Sequence, residues 1–197
     1  MQLNFLERLF ILSPLRRFLQ DHFETRRLFE MGGSAKGARV LEVGCGPGFA
    51  IDLLYNQFNV SSVDAFDVDP KMVSRVQQRQ NEKNRKPLLW VGNVRHIPVI
   101  NYRYDAVFNF GAIHHVVDWR AALGEIHRVM KPGGQFYCEE ILSRYITHPL
   151  IGRLMDHPQK DRFDEPQFID ALQNTGFRIE SSRQLADLYL WVVATKA

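Results

Sequence analysis

Three glycines alternate behind an acidic residue in Glu42-Val43-Gly44-Cys45-Gly46-Pro47-Gly48. A glycine turn lets a ligand lie almost against the backbone, because no Cβ holds it off. The amides of such a turn, together with a following helix N-terminus, suit a carboxylate. Glu42 can accept hydrogen bonds from an amino group. The dinucleotide fingerprint requires G-x-G-x-x-G or A, so its last position must be small. Here that position is Phe49, and the third glycine comes one residue early, at Gly48.

Asp67, in Phe66-Asp67-Val68-Asp69-Pro70, falls at the end of a second apolar run. A carboxylate there can take both hydroxyls of a ribose. Asp69 competes for that role, but its place before Pro70 reads better as a helix N-cap. His114-His115 are candidates for a general base, since imidazole titrates in the useful range. Neighbouring residues on a helix point about 100° apart, unlike the i,i+4 histidines of a zinc helix, so no metal site is expected. Tyr145, His148 and His157, with Arg144 and Arg153, form a further group. They read equally as substrate contacts or as a solvated insertion. Arg75, Arg79, Lys83, Arg85 and Lys86 read as the solvated face of a helix.

Positioning these groups requires alternating strands and helices. Apolar runs predict strands over 39–43, 62–67, 88–91, 104–110 and 135–140. Helical patterns predict helices over 49–57, 70–84 and 119–130 between them. This alternation implies a parallel sheet with helices on both faces. After a helix over 166–175, two consecutive runs, 177–183 and 187–195, have only a short connection and must pair antiparallel. The expected fold is α/β: a doubly wound, mostly parallel seven-stranded sheet ending in an antiparallel hairpin, preceded by N-terminal helices. Residues 1–33 are expected to form a helical cap or lid, and 34–197 the ligand-binding domain. In the cap, Ser13-Pro14 reads as an N-cap and first-turn proline, with Leu15, Phe18, Leu19 and Phe23 turned inward.

The pattern E-x-G-x-G-x-G at 42–48 resembles the first motif of class I S-adenosylmethionine-dependent methyltransferases. Tyr104-Asp105-Ala106-Val107, followed by Ile113-His114-His115 and Asp118, resembles that family's F-D-x-V, L-H-H and acidic sequence. Arg128-Val129-Met130-Lys131-Pro132-Gly133-Gly134 resembles its R-V-L-K-P-G-G signature. These motifs stand in the family's order across residues 37–140. The chain is therefore similar to the broad "type 11" group that includes menaquinone and ubiquinone methyltransferases.

The resemblance implies a Rossmann-like methyltransferase fold, S-adenosylmethionine as cofactor with S-adenosylhomocysteine as product, and a small-molecule acceptor such as a lipophilic quinone precursor. It places Glu42, Gly44, Cys45, Gly46 and Gly48 at the methionine end, Asp67 and Val68 at the ribose, and Asn93 and Val94 at the adenine. Asn109 and Phe110 would run alongside. The family often has Gly-Asp-Ala where this chain has Gly92-Asn93-Val94. The Asn93 carbonyl can accept the same hydrogen bond without charge assistance. His114 and His115 would serve as base or shape the pocket.

Bulk properties narrow the alternatives. The 197 residues favour one core, and a net charge of +3 is too slight to argue nucleic-acid binding. Methylation of RNA or protein is therefore the weaker alternative. A nicotinamide-dependent oxidoreductase is opposed by Phe49 and the terminal hairpin, and a non-catalytic cofactor-binding relative by the intact glycine loop. The two cysteines, Cys45 and Cys138, form no framework and agree with a reduced, cytoplasmic setting. Residues 3–12 read as an amphipathic helix that could serve as lid, packed helix or membrane-surface contact. The membrane version predicts co-sedimentation with anionic liposomes that disappears when residues 1–12 are deleted. Full-length protein remaining in the supernatant refutes it.

Overall fold

A computed structural model describes residues 9–147 and 161–197. Most of the helix expected over residues 3–12, and His148, Arg153 and His157, lie outside the described residues.

The sheet is built around β1 (Arg39–Val43), whose last four residues are buried. Flanked by strands on both edges and helices on both faces, it tolerates side chains that need no water. The remaining strands are β2 (Ser62–Asp67), β3 (Leu88–Val91), β4 (Tyr104–Phe110), β5 (Met130–Ile141), β6 (Phe177–Leu185) and β7 (Tyr189–Lys196). Their spatial order is β3-β2-β1-β4-β5-β7-β6. β1 pairs parallel with β2 and β4, and β7 pairs antiparallel with both β5 and β6. Strand order reverses at β1 and β4, and ligands bind at such a switch point in open α/β sheets. One apolar cluster contains Leu41, Trp119, Phe136 and Phe168; the other contains Val40, Phe58, Phe108 and Tyr137. The alternation of residues along β1 and β5 places these clusters on opposite faces of the sheet.

Lys131-Pro132-Gly133-Gly134 acts as more than a helix stop. The helix ends at Val129, and β5 already starts at Met130, which pairs with Tyr104 before the register shifts. Lys196, buried at the end of β7, donates to the carbonyls of His127 (2.6 Å) and Met130 (2.9 Å). The C-terminal strand thus satisfies carbonyls that the ending helix leaves open.

The N-terminal segment departs from its amphipathic reading. Residues 9–11 are helical, and Ser13 Oγ accepts from Arg16 N at 3.1 Å, as an N-cap should. α1 (Pro14–Leu19) runs through a π-turn (Gln20–Glu24) into α2 (Thr25–Gly32). Leu15, Phe18 and Phe23 are 58%, 50% and 57% exposed, so of the four residues expected inward only Leu19 is half-buried. Gln20, Thr25 and Leu28 are buried instead. The cause is what the segment covers. α1 and the π-turn lie over a cavity of mixed lining, toward which Arg16, Gln20 and Glu24 turn beside Leu19, and only α2 reaches the apolar core, where Leu28 joins the cluster of Val40, Phe58 and Tyr137. Each of the three, about half exposed, forgoes about half of the roughly 1.5–3 kcal/mol that full burial would contribute. Among the described residues, no helix is long and apolar enough to cross a membrane.

α3 (Phe49–Asn56) starts directly from the glycine loop, and α4 (Pro70–Glu82) holds it in place. Asp52 of α3 accepts from Arg79 Nε (3.0 Å), Arg85 Nη1 (3.1 Å) and Lys83 Nζ (2.6 Å). Arg79 also lies 4.9 Å from the centroid of the Phe49 ring. Burial pushes the Asp52 carboxyl up, but the Lys83 and Arg79 hydrogen bonds outweigh it and leave the group below its ordinary value. A folded value below the unfolded one contributes stability that is present above about pH 4 and is lost as pH falls through the folded value. Asp52→Asn is expected to cost about 2 kcal/mol at neutral pH, and the deficit should shrink below about pH 4. Thermal unfolding at both pH values checks this, and an equal deficit at both contradicts it.

Candidate active site

A cavity of about 640 Å³ opens at the carboxyl ends of β1, β2, β4 and β5, beneath α1 and the π-turn. Its floor is the glycine loop. Gly44 has φ +65°, and a Cβ there would lie 2.5 Å from the Ala112 Cβ, so the β1 loop can approach the turn after β4 only without a side chain. Gly48, at φ +77°, begins α3 and faces Val76. It does not line the cavity, whereas Gly44, Cys45 and Gly46 do.

Asp67 ties this loop to the neighbouring strand. Its Oδ2 accepts from Gly46 N at 2.9 Å, and its Oδ1 from Asp69 N at 2.8 Å. Burial raises the Asp67 carboxyl above its ordinary value, although the amides of Asp69 and Gly46 pull it down. Asp67 lines the cavity, and a carboxylate accepts more hydrogen bonds than these, which leaves capacity for ligand hydroxyls. Asp69 accepts from Lys71 N at 2.9 Å and caps α4, as its place before Pro70 suggests.

Glu42 stands behind the loop, 2% exposed, and its Oε2 has no hydrogen-bond partner among the described residues. Burial first, then the charges of Asp67 and Asp52, hold its carboxyl well above the ordinary range. An orphaned buried carboxyl beside an amide-rich turn fits an amino acid end, with an ammonium for Glu42 and a carboxylate for the loop. Val68 and Val94 line the far wall. Asn93 lines it too, but its Oδ1 already accepts from Arg95 N at 3.0 Å, leaving one lone pair for a ligand amine.

Phe110 lines the cavity, whereas Asn109 does not. Fully buried, Asn109 donates to Glu140 Oε1 (2.6 Å) and the Glu139 carbonyl (2.9 Å). Glu140 also accepts from Ile113 N (2.8 Å), His114 N (3.1 Å) and His114 Nδ1 (2.7 Å). Burial raises it to about 7, partly offset by Asn109 and these amides. Glu140 therefore clasps the turn over Ile113–His115 and fixes the His114 ring, while Arg162 donates to the His114 carbonyl. His114 and His115 both line the cavity, their rings 4.1 Å apart.

Tyr145 reaches the cavity, whereas Arg144 pairs with Asp187 at the surface. The sequence reading missed Arg16, Glu24, Glu139 and Tyr189, which line the side formed by β5 and β7. Adjacent Glu139-Glu140 at the end of an apolar strand was the available signal, because charges are rarely buried without use.

The mostly parallel sheet with its terminal hairpin, the ribose-type carboxylate and the glycine loop define a Rossmann-like nucleoside-binding enzyme of the methyltransferase class. Residues 41–138 match the family described as "Methyltransferase domain". The chain belongs to the class I S-adenosylmethionine-dependent methyltransferase family. It is 29% identical over 171 residues to a demethylmenaquinone methyltransferase of Lactiplantibacillus plantarum, covering 79% of this chain and 69% of that protein. It is 30% identical over 105 residues to a malonyl-[acyl-carrier protein] O-methyltransferase of Hahella chejuensis, covering 53% of this chain and only 37% of that protein. The crystal structure of a SAM-dependent methyltransferase from Aquifex aeolicus superposes with a TM-score of 0.76 at 21% identity, covering 97% of both chains, and shares the fold.

An adenosyl ribose seated on Asp67 predicts that Asp67→Ala weakens S-adenosylhomocysteine binding at least tenfold, about 1.4 kcal/mol. Calorimetry reads the affinity and thermal unfolding the integrity of the loop. An unchanged affinity places the ribose elsewhere.

Proposed function

We propose that this protein transfers a methyl group from S-adenosylmethionine to a lipophilic small molecule. The observation that carries the reading is the orphaned Glu42 carboxyl facing the same cavity as a glycine loop tethered to Asp67. When bound, the donor supplies an electrophilic methyl group on a sulfonium, so the protein's work is orientation and exclusion of water. Glu42 and the amides of Gly44–Gly46 hold the methionine end. Asp67 with Val68 holds the ribose, and Asn93 with Val94 the adenine. Phe110 forms the wall alongside.

The acceptor lies between the turn after β4 and the N-terminal cap. Phe10, Ile11, Leu19 and Ile141 give that side an apolar lining, which supports a lipophilic body. The resemblance to a demethylmenaquinone methyltransferase supports the same class of acceptor. His114, fixed in one orientation by Glu140, is the residue in this reading that receives a proton from an acceptor that must lose one. His115 shapes the adjoining wall.

Calorimetric titration with S-adenosylmethionine, S-adenosylhomocysteine and NADH tests the reading. The first two should bind and NADH should not. Binding of NADH alone overturns it.

A further inference from the structure

On the β5–β7 side of the cavity, the polar groups exceed what holding a methyl donor requires. Glu139 projects from β5 toward the cap, 2% exposed, lining the cavity. Its Oε2 has no hydrogen-bond partner among the described residues. Burial first, then the neighbouring charge of Glu24 on the π-turn, push the Glu139 carboxyl well above its ordinary range, while Arg16 pulls it down. Arg16 of α1 pairs with Glu24 at 2.6 Å. Tyr189 and Tyr145, their rings 5.7 Å apart, line the same end.

Packing within the sheet does not require this carboxyl. Glu139 pairs with Phe110 on one side and Trp191 on the other, and Tyr137, two residues earlier on the same face, packs in the apolar cluster. An apolar residue at 139 would continue that packing without leaving a buried oxygen unsatisfied, so the oxygen points to a ligand.

The chemistry of that ligand follows from the charges. Two neighbouring carboxyls resist ionising together. With Arg16 opposite Glu24, the cluster is close to neutral and lacks a cation to spare. A carboxylate would meet two acidic groups. An ammonium would be desolvated among Phe10, Ile11 and Leu19 without a full counter-charge. A neutral hydroxyl can donate to Oε2 of Glu139 and carry an apolar body along those walls.

We propose that Glu139, held by Glu24 and Arg16, is the recognition site for a hydroxyl group on a lipophilic acceptor, a phenol or alcohol rather than a carboxylate or amine. The proposal rests on the methyltransferase reading of the cavity and specifies its substrate class.

Three probes with one alkyl tail test it: para-octylphenol, octanoate and octylamine. They are titrated into protein saturated with S-adenosylhomocysteine and into ligand-free protein. Wild type should bind the phenol at least roughly tenfold more tightly than either charged probe. Glu139→Leu should abolish that preference while S-adenosylhomocysteine affinity stays unchanged. Glu139→Gln, which keeps a carbonyl acceptor, should reduce it at least about threefold, and it carries the test if the leucine variant fails to fold. Octanoate or octylamine binding as tightly as the phenol overturns the proposal, as does an undiminished preference in either variant. If wild type does not bind S-adenosylhomocysteine, the methyltransferase reading fails instead, and the ligand-free titrations still decide the hydroxyl preference.

Discussion

The site depends on one short contact system at the carboxyl end of the sheet. Asp67 grips the amides of Gly46 and Asp69, so one carboxylate fixes both the glycine loop and the start of α4. Gly44 lies against Ala112, bringing the ends of β1 and β4 close enough to share a floor. Remove either contact and the loop loses its shape before any ligand is considered. α3 then follows from the loop, and the Asp52 cluster with Arg79, Lys83 and Arg85 holds α3 against α4. Phe49 lies between Arg17 and Arg79, with each guanidinium over its ring. The bulky residue that departs from the dinucleotide fingerprint therefore has a structural place of its own.

Three buried glutamates show how similar residues serve different ends. Glu140 is satisfied on both oxygens, by Asn109, Ile113 and His114, and its role is to hold a turn. Glu42 and Glu139 are equally buried, yet among the described residues each leaves an oxygen without a partner at the cavity wall. An unpaired buried polar atom costs about 1–3 kcal/mol, more when charged. That cost persists in a folded protein where something else is gained, and a ligand is the natural counterpart. The glutamate with the most hydrogen bonds holds a turn, and the two with an unpartnered oxygen are those we propose to face ligands.

The cap follows the same logic. Its inner face carries Arg16, Gln20 and Glu24 beside Leu19 because it covers a cavity of mixed lining, while Leu15 and Phe18 face outward. A helix that is amphipathic in sequence need not bury its apolar face; here the π-turn and the cavity beneath decide the orientation. Phe10, ahead of them in the chain, belongs both to the surface and to the cavity wall.

Local chemistry determined much of this in advance. Apolar runs of four to seven residues, glycine and proline stops, and N-caps such as Ser13 and Asp69 depend on neighbours in the chain. The strands, the terminal hairpin and the grouping of Glu42, the glycine loop and Asp67 were accordingly legible. Tertiary structure alone decided which side of the cap turns inward, that Asn109 braces Glu140 rather than lining the cavity, and that Arg16 and Glu24 meet Glu139 across more than a hundred residues. These depend on strand order and on the polarity of what each element covers. Neither is encoded in the spacing of residues along the chain.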